Sequence, residues 1–173
     1  MLDRRSALAS VKPYTSAVLQ IGEAREFSLL QVAGNPKAIT PVTGKLPTKV
    51  GVATQSDGRT LMRAGENQFW IIGPETDDIA TKLGDLAVLT PLSHSRTRIL
   101  IDGGPARDVL AKGIPLDLHP SVFKPGMFAM TGIHHTPVLV HCVSENRFEI
   151  YALRTFAVSV YDWLTDAALE FAA

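Results

Sequence analysis

The chain has one cysteine, Cys142, among 173 residues, so no intrachain disulfide can form and nothing points to an oxidising compartment. It lacks an excess of either charge, since 17 Lys and Arg balance 17 Asp and Glu. Without a basic surplus there is no global field to hold a phosphate backbone, which argues against a nucleic-acid partner. The same neutrality gives weak self-repulsion and suits a subunit held inside an assembly. No run approaches the 18 or so apolar residues that a membrane span requires. After Arg4-Arg5 the apolar stretch Ala7-Leu8-Ala9 stops at Lys12-Pro13, too short for the hydrophobic region of a signal peptide. The expectation is a cytoplasmic protein with no membrane partner.

Assembled catalytic patterns are also missing. His134-His135 and His141 fall on adjacent predicted strands, but neighbours on a strand point to opposite faces. No cysteine pair or carboxylate cluster completes a ligand set, so no metal site is expected. Ser93-His94-Ser95 reads as a polar turn, because a triad needs a third group and a geometry that adjacency does not supply. In Asp102-Gly103-Gly104-Pro105 the proline removes an amide donor that a phosphate cradle would use, and no Walker lysine follows. Cys142 sits in an apolar strand, where a thiol is packing. No catalytic or cofactor-binding residue is therefore assigned.

What is present is a repeat. Glu66-Asn67-Gln68-Phe69-x-Ile71 returns 79 residues later as Glu145-Asn146-Arg147-Phe148-x-Ile150, and Thr76 matches Thr155 at the same offset. Each copy runs from the polar turn of a predicted strand pair into its second strand, 60–64 and 68–72 in the first, 138–143 and 148–152 in the second, and each pair is closed by a helix. In the last helix Phe156, Val160, Trp163, Leu164, Ala167 and Phe171 form one apolar stripe. Further strands are predicted at 27–32, near 87–89, at 96–101 and near 127–131. Residues 106–112 read as a short helix, with Pro105 before it and Gly113 after it. The stretch 34–49, with three prolines and two glycines, reads as loop.

The fold class that follows is α+β: two ferredoxin-like lobes with antiparallel sheets, related by an internal pseudo-repeat. The expected boundaries are an N-terminal arm over 1–26, a first lobe over 27–92 and a second over 93–173. In the first lobe the opening helix is expected to be reduced to the proline-rich loop.

Several blocks carry a family likeness. They are Ser93-His94-Ser95-Arg96, the stretch from Gly104 through Gly113, and Pro115-Leu116-Asp117-Leu118-His119-Pro120. With them go Phe123-x-Pro125-Gly126, Pro137 to His141, and Arg154 through Ala168. Together these resemble the gamma subunit of heterotetrameric sarcosine oxidase over most of residues 45–171. The resemblance implies a non-catalytic chain in an αβγδ complex that oxidatively demethylates sarcosine to glycine, forms hydrogen peroxide and passes the one-carbon unit to tetrahydrofolate. It further implies that FAD, FMN, NAD and zinc reside on the other subunits, and that the alpha subunit is the chief partner. A wider likeness is to the folate-binding aminomethyltransferase of the glycine cleavage system. Phe148-Glu149-Ile150-Tyr151 is kept, while Val143-Ser144-Glu145-Asn146-Arg147 stands in place of that family's folate loop. The alternative is therefore a stand-alone folate-binding protein or aminomethyltransferase-like enzyme. The extended Pro115–Pro120 segment, with polar Asp117 and His119 not required by any core, is the expected partner interface.

Overall fold

In the computed structural model, which describes residues 5–172, residues 14–23 form two paired strands, β1 (Tyr14–Thr15) and β2 (Leu19–Glu23). This differs from the expected arm over 1–26, of which residues 1–4 lie outside the described residues. Leu19 and Ile21 alternate into a core, and β2 pairs antiparallel with a strand some eighty positions on, Ile21 facing Ile101. The Tyr161 hydroxyl lies 2.9 Å from the Lys12 carbonyl and 3.0 Å from that of Ile21, and accepts the Tyr14 N–H at 2.9 Å. A five-residue strand gives too few periods to be seen in sequence.

The chain divides into two compact units, Glu26–His94 and a second made of the residues on either side of it. In Glu26–His94 the elements are β3 (Ser28–Ala33), α1 (Pro36–Thr43), β4 (Ala53–Ser56), β5 (Arg59–Arg63), β6 (Gln68–Gly73), α2 (Asp77–Leu83) and β7 (Val88–Pro91). The sheet runs β4-β5-β6-β3-β7, antiparallel throughout. Leu30, Val32, Leu61, Phe69 and Ile71 line its core, with Ile39 and Leu83 from the helices.

Helix α1 replaces the first part of the loop expected over 34–49, of which 44–49 remains irregular. Asn35 caps it by accepting the Lys37 N–H at 2.9 Å, and Pro36 occupies the first position, where a missing N–H has no intrahelical partner to lose. Gly44, at φ +82°, ends it. Pro41 removes one hydrogen bond from the middle, but burial of Ile39 holds the short helix in place.

The other unit adds β8 (Arg96–Gly103), α3 (Ala106–Ala111), β9 (Phe128–Ile133), β10 (Thr136–Ser144), β11 (Arg147–Leu153) and α4 (Ala157–Ala168). Its sheet order is β1-β2-β8-β11-β10-β9, again antiparallel. Helix α4 buries Ala157, Val160, Tyr161, Leu164, Ala167 and Ala168. Phe156, expected in that stripe, is instead exposed in the short turn before the helix.

Both units are ferredoxin-like with additional edge strands, β4 in Glu26–His94 and both β9 and β1 in the other unit. In Glu26–His94 the strand outside the first one, β7, follows the unit's own second helix. In the other unit β2 takes that place from the N-terminal side. The repeated string marks equivalent hairpins: Phe69 and Phe148, Ile71 and Ile150 are all fully buried. The Asn67 carbonyl accepts the Gly34 N–H at 3.0 Å, and the Asn146 carbonyl accepts the Gly103 N–H at the same distance. The correspondence ends at the threonines, for Thr76 is buried ahead of α2 and Thr155 is exposed.

Candidate functional site

Strand β11 carries a charge where its neighbours are apolar. Phe148 and Ile150 enter the helix-covered core, while Glu149 and Tyr151 project from the opposite face and are also buried, Glu149 being 6% exposed. Both carboxylate oxygens of Glu149 are engaged. Oε1 accepts from Arg98 Nη2 at 2.5 Å, and Oε2 accepts the Tyr151 hydroxyl at 2.6 Å. His141 Nδ1 stands 3.6 Å from Oε2, beyond hydrogen-bond range. Burial alone would raise the Glu149 pKa. The nearby His141 ring, the Arg98 charge and the Tyr151 hydroxyl outweigh it and hold the carboxyl at about 2. Burial, aided by the adjacent carboxylate, pushes the Tyr151 hydroxyl well above the usual phenol range, so it stays a donor.

This is the carboxylate of the Phe-Glu-Ile-Tyr strand, and its position bears on a folate site. Glu149 is buried and both its oxygens already face groups of the same sheet, so it offers no exposed acceptor to a pterin. A lone acid between two core residues was the available sequence signal for this cluster.

A second polar feature surrounds the Pro115–Pro120 segment. Arg107 on α3 fastens it, Nη1 donating to the Leu118 carbonyl at 2.5 Å and to that of Phe123 at 2.9 Å. Its Nε donates to the Glu145 carbonyl at 3.0 Å, and the guanidinium lies 4.9 Å from the centre of the Phe148 ring. Arg63 does the same work in the other unit. It donates to the carbonyls of Glu66 at 2.6 Å and Thr48 at 2.9 Å and covers the Phe69 ring at 5.5 Å. The arginines come from non-equivalent elements, which hid this part of the repeat from sequence. Arg107→Ala should cost about 2 kcal/mol and open residues 115–123 to limited proteolysis, with Arg107→Lys restoring less than half because it lacks the fork. An unchanged cleavage pattern would show that the segment holds itself.

Asp117 and His119, both exposed, come together in one turn: the Asp117 carboxylate accepts the His119 N–H at 2.9 Å. His119 Nδ1 lies 2.7 Å from the Ser121 hydroxyl. Beside them is an open groove of about 580 Å³ lined by Arg107, Asp108, Leu116, Asp117, His119 and Glu145, among others.

The remaining candidates are dispersed. His134 occupies a tight turn at φ +52° with its ring edge-on to Trp163 at 5.3 Å, while His141 is buried on β10. Ser93 accepts the Leu29 N–H at 2.9 Å as a turn residue. Burial pushes the Cys142 thiol up, only partly offset by Arg107. Among the described residues no group of three or more His, Cys, Asp or Glu side chains could hold a metal ion. No helix of the described residues is long and apolar enough to cross a membrane.

These features define a class: a duplicated ferredoxin-like scaffold whose polar side chains serve mainly to fasten its own segments. The same fold occurs in the glycine cleavage system aminomethyltransferase T from Bartonella henselae, at a TM-score of 0.64 and 18% identity, covering 87% of this chain and 46% of that one. The model of the sarcosine oxidase, gamma subunit family matches residues 54–170, and the chain belongs to that family. It is 33% identical over 134 residues to sarcosine oxidase subunit gamma of Corynebacterium sp. (strain P-1), covering 74% of this chain and 66%, just under two thirds, of that one. It is 30% identical to sarcosine oxidase subunit gamma of an Arthrobacter species, covering 82% and 72% respectively. A chain of the heterotetrameric sarcosine oxidase from Corynebacterium sp. U-96 superposes at a TM-score of 0.88 with 25% identity, covering 98% of this chain and 97% of that one.

Proposed function

We propose that this chain is a non-catalytic structural subunit of a heterotetrameric sarcosine oxidase. The complex demethylates sarcosine oxidatively to glycine, forms hydrogen peroxide and passes the one-carbon unit to tetrahydrofolate. The observation that carries the non-catalytic part is Glu149, whose two oxygens are already held by Arg98 and Tyr151. Its family membership and the likeness over nearly the whole chain to one chain of a heterotetrameric enzyme support the assembly. On this reading FAD, FMN, NAD, zinc and the tetrahydrofolate site belong to the alpha, beta and delta subunits. The alpha subunit is the chief partner, with Asp117 and His119 at the contact.

Co-expression with the other three subunits tests this reading. The chain should co-purify with them, and alone it should yield no sarcosine-dependent peroxide. Asp117→Ala with His119→Ala should weaken co-purification and move the melting temperature of the chain by only a few degrees, as befits exposed residues. Turnover by the lone chain would refute the non-catalytic role. Intact assembly by the double variant, with a large loss of stability, would show the segment to be structural.

A further inference from the structure

The groove beside the Pro115–Pro120 segment has a composition that selects its occupant. Asp108 on α3, Asp117 on the segment and Glu145 at the β10–β11 turn line it. None of the three forms an ion pair among the described residues. Among the described residues Arg107 is the one lysine or arginine in the lining, and its guanidinium is turned to backbone carbonyls and the Phe148 ring. Three carboxylates against one arginine leave the groove negative. Ala111, Pro120 and Leu116, the last 37% exposed, also line it, so the lining is apolar as well as acidic.

We infer that this groove seats a lysine or arginine side chain of the partner subunit, its aliphatic stem along Leu116 and Pro120 and its charge among Asp108, Asp117 and Glu145. The inference rests on the subunit reading above and gives it a chemistry. Long basic side chains have that amphipathic form, burying the stem while the head meets carboxylates. A neutral apolar anchor would leave three carboxylates facing it, and an anionic one would be repelled. Attraction of this kind at an open groove is screened, with a Debye length of about 8 Å at 0.15 M salt and 3 Å at 1 M.

The test is retention of the full chain by the tagged large subunit after co-expression with the whole complex, washed in low and in high sodium chloride. For the wild type, high salt should release the chain about tenfold more readily. Asp108→Asn with Asp117→Asn and Glu145→Gln should weaken retention about tenfold in low salt and abolish most of its salt dependence. The amide introduced at position 117 keeps an acceptor for the turn, so circular dichroism and melting temperature should stay unchanged. Glu145→Lys alone, altering a side chain outside the Arg107 contacts, should weaken retention more than Glu145→Gln. If the wild type is retained and the triple variant matches it in both salts, the groove does not hold the cation, while the subunit reading stands. If the wild type is not retained at all, both fail together.

Discussion

Glu149→Ala should lower the stability of the chain by about 3–5 kcal/mol at neutral pH, the loss typical of breaking a buried ion pair from one side. The pair is well placed for this, since the Glu149 side chain is 8% exposed and Arg98 is 23% exposed. The effect carries a pH signature. The folded carboxyl titrates at about 2 against an ordinary 4.5. A depressed acid contributes its stabilisation above the unfolded value and loses it as pH falls through the folded one. Wild-type stability should therefore decline between about pH 5 and pH 2, and the gap between wild type and Glu149→Ala should narrow over the same range. Urea unfolding at pH 7 and pH 3 measures it. An equal gap at both would assign the loss to packing and not to charge. Glu149→Gln should retain an acceptor for the Tyr151 hydroxyl and fall between the two.

Gly103→Ala should be comparably damaging for a different reason. Gly103 holds φ +144°, and a Cβ there would sit 2.1 Å from the Val18 carbonyl oxygen and 2.8 Å from Leu19 Cα. Both are backbone atoms of the segment that lays β2 against β8, with Leu19 opposite Gly103. Neither can rotate away, so the strand must lift or the glycine must refold. A cost of about 3 kcal/mol or more is expected from strain and lost pairing together. Hydrogen exchange at Leu19–Glu23 should rise with it. The adjacent Gly104→Ala, where a Cβ would meet nothing within 4 Å, is the control and should change little. If both variants melt alike, close approach at Gly103 is not what the position requires.

These two residues also show where sequence was and was not informative. The duplicated string located both hairpins and their buried Phe and Ile, because a period of two is carried by adjacent residues. It could not supply β2, whose place in the sheet depends on a distant partner, β8. Composition made 34–49 a loop, while a single asparagine cap and one buried isoleucine make part of it a helix. In sequence Gly103 belongs to a turn that lacks the donors of a phosphate cradle; in the structure its freedom serves the approach of β2. The groove was legible only as an extended segment with two polar residues. Asp108 and Glu145 join it through tertiary structure, from α3 and from a turn nearly forty positions further along.

The placement of β2 makes the Glu26–His94 unit an insertion between two strands that must find one another. That unit closes on itself first in sequence terms: Leu30 pairs with Pro91, and the Leu92 N–H reaches the Leu29 carbonyl at 2.8 Å. Its entry and exit are therefore fastened side by side once it has folded. The loop that β2 and β8 must close then shrinks several-fold, a saving of about 1–2 kcal/mol at roughly 0.6 kcal/mol per halving. On an emerging chain the inserted unit is complete before β8 exists. The waiting segment around Leu19 and Ile21 is then delivered to its partner by a neighbour that has already folded.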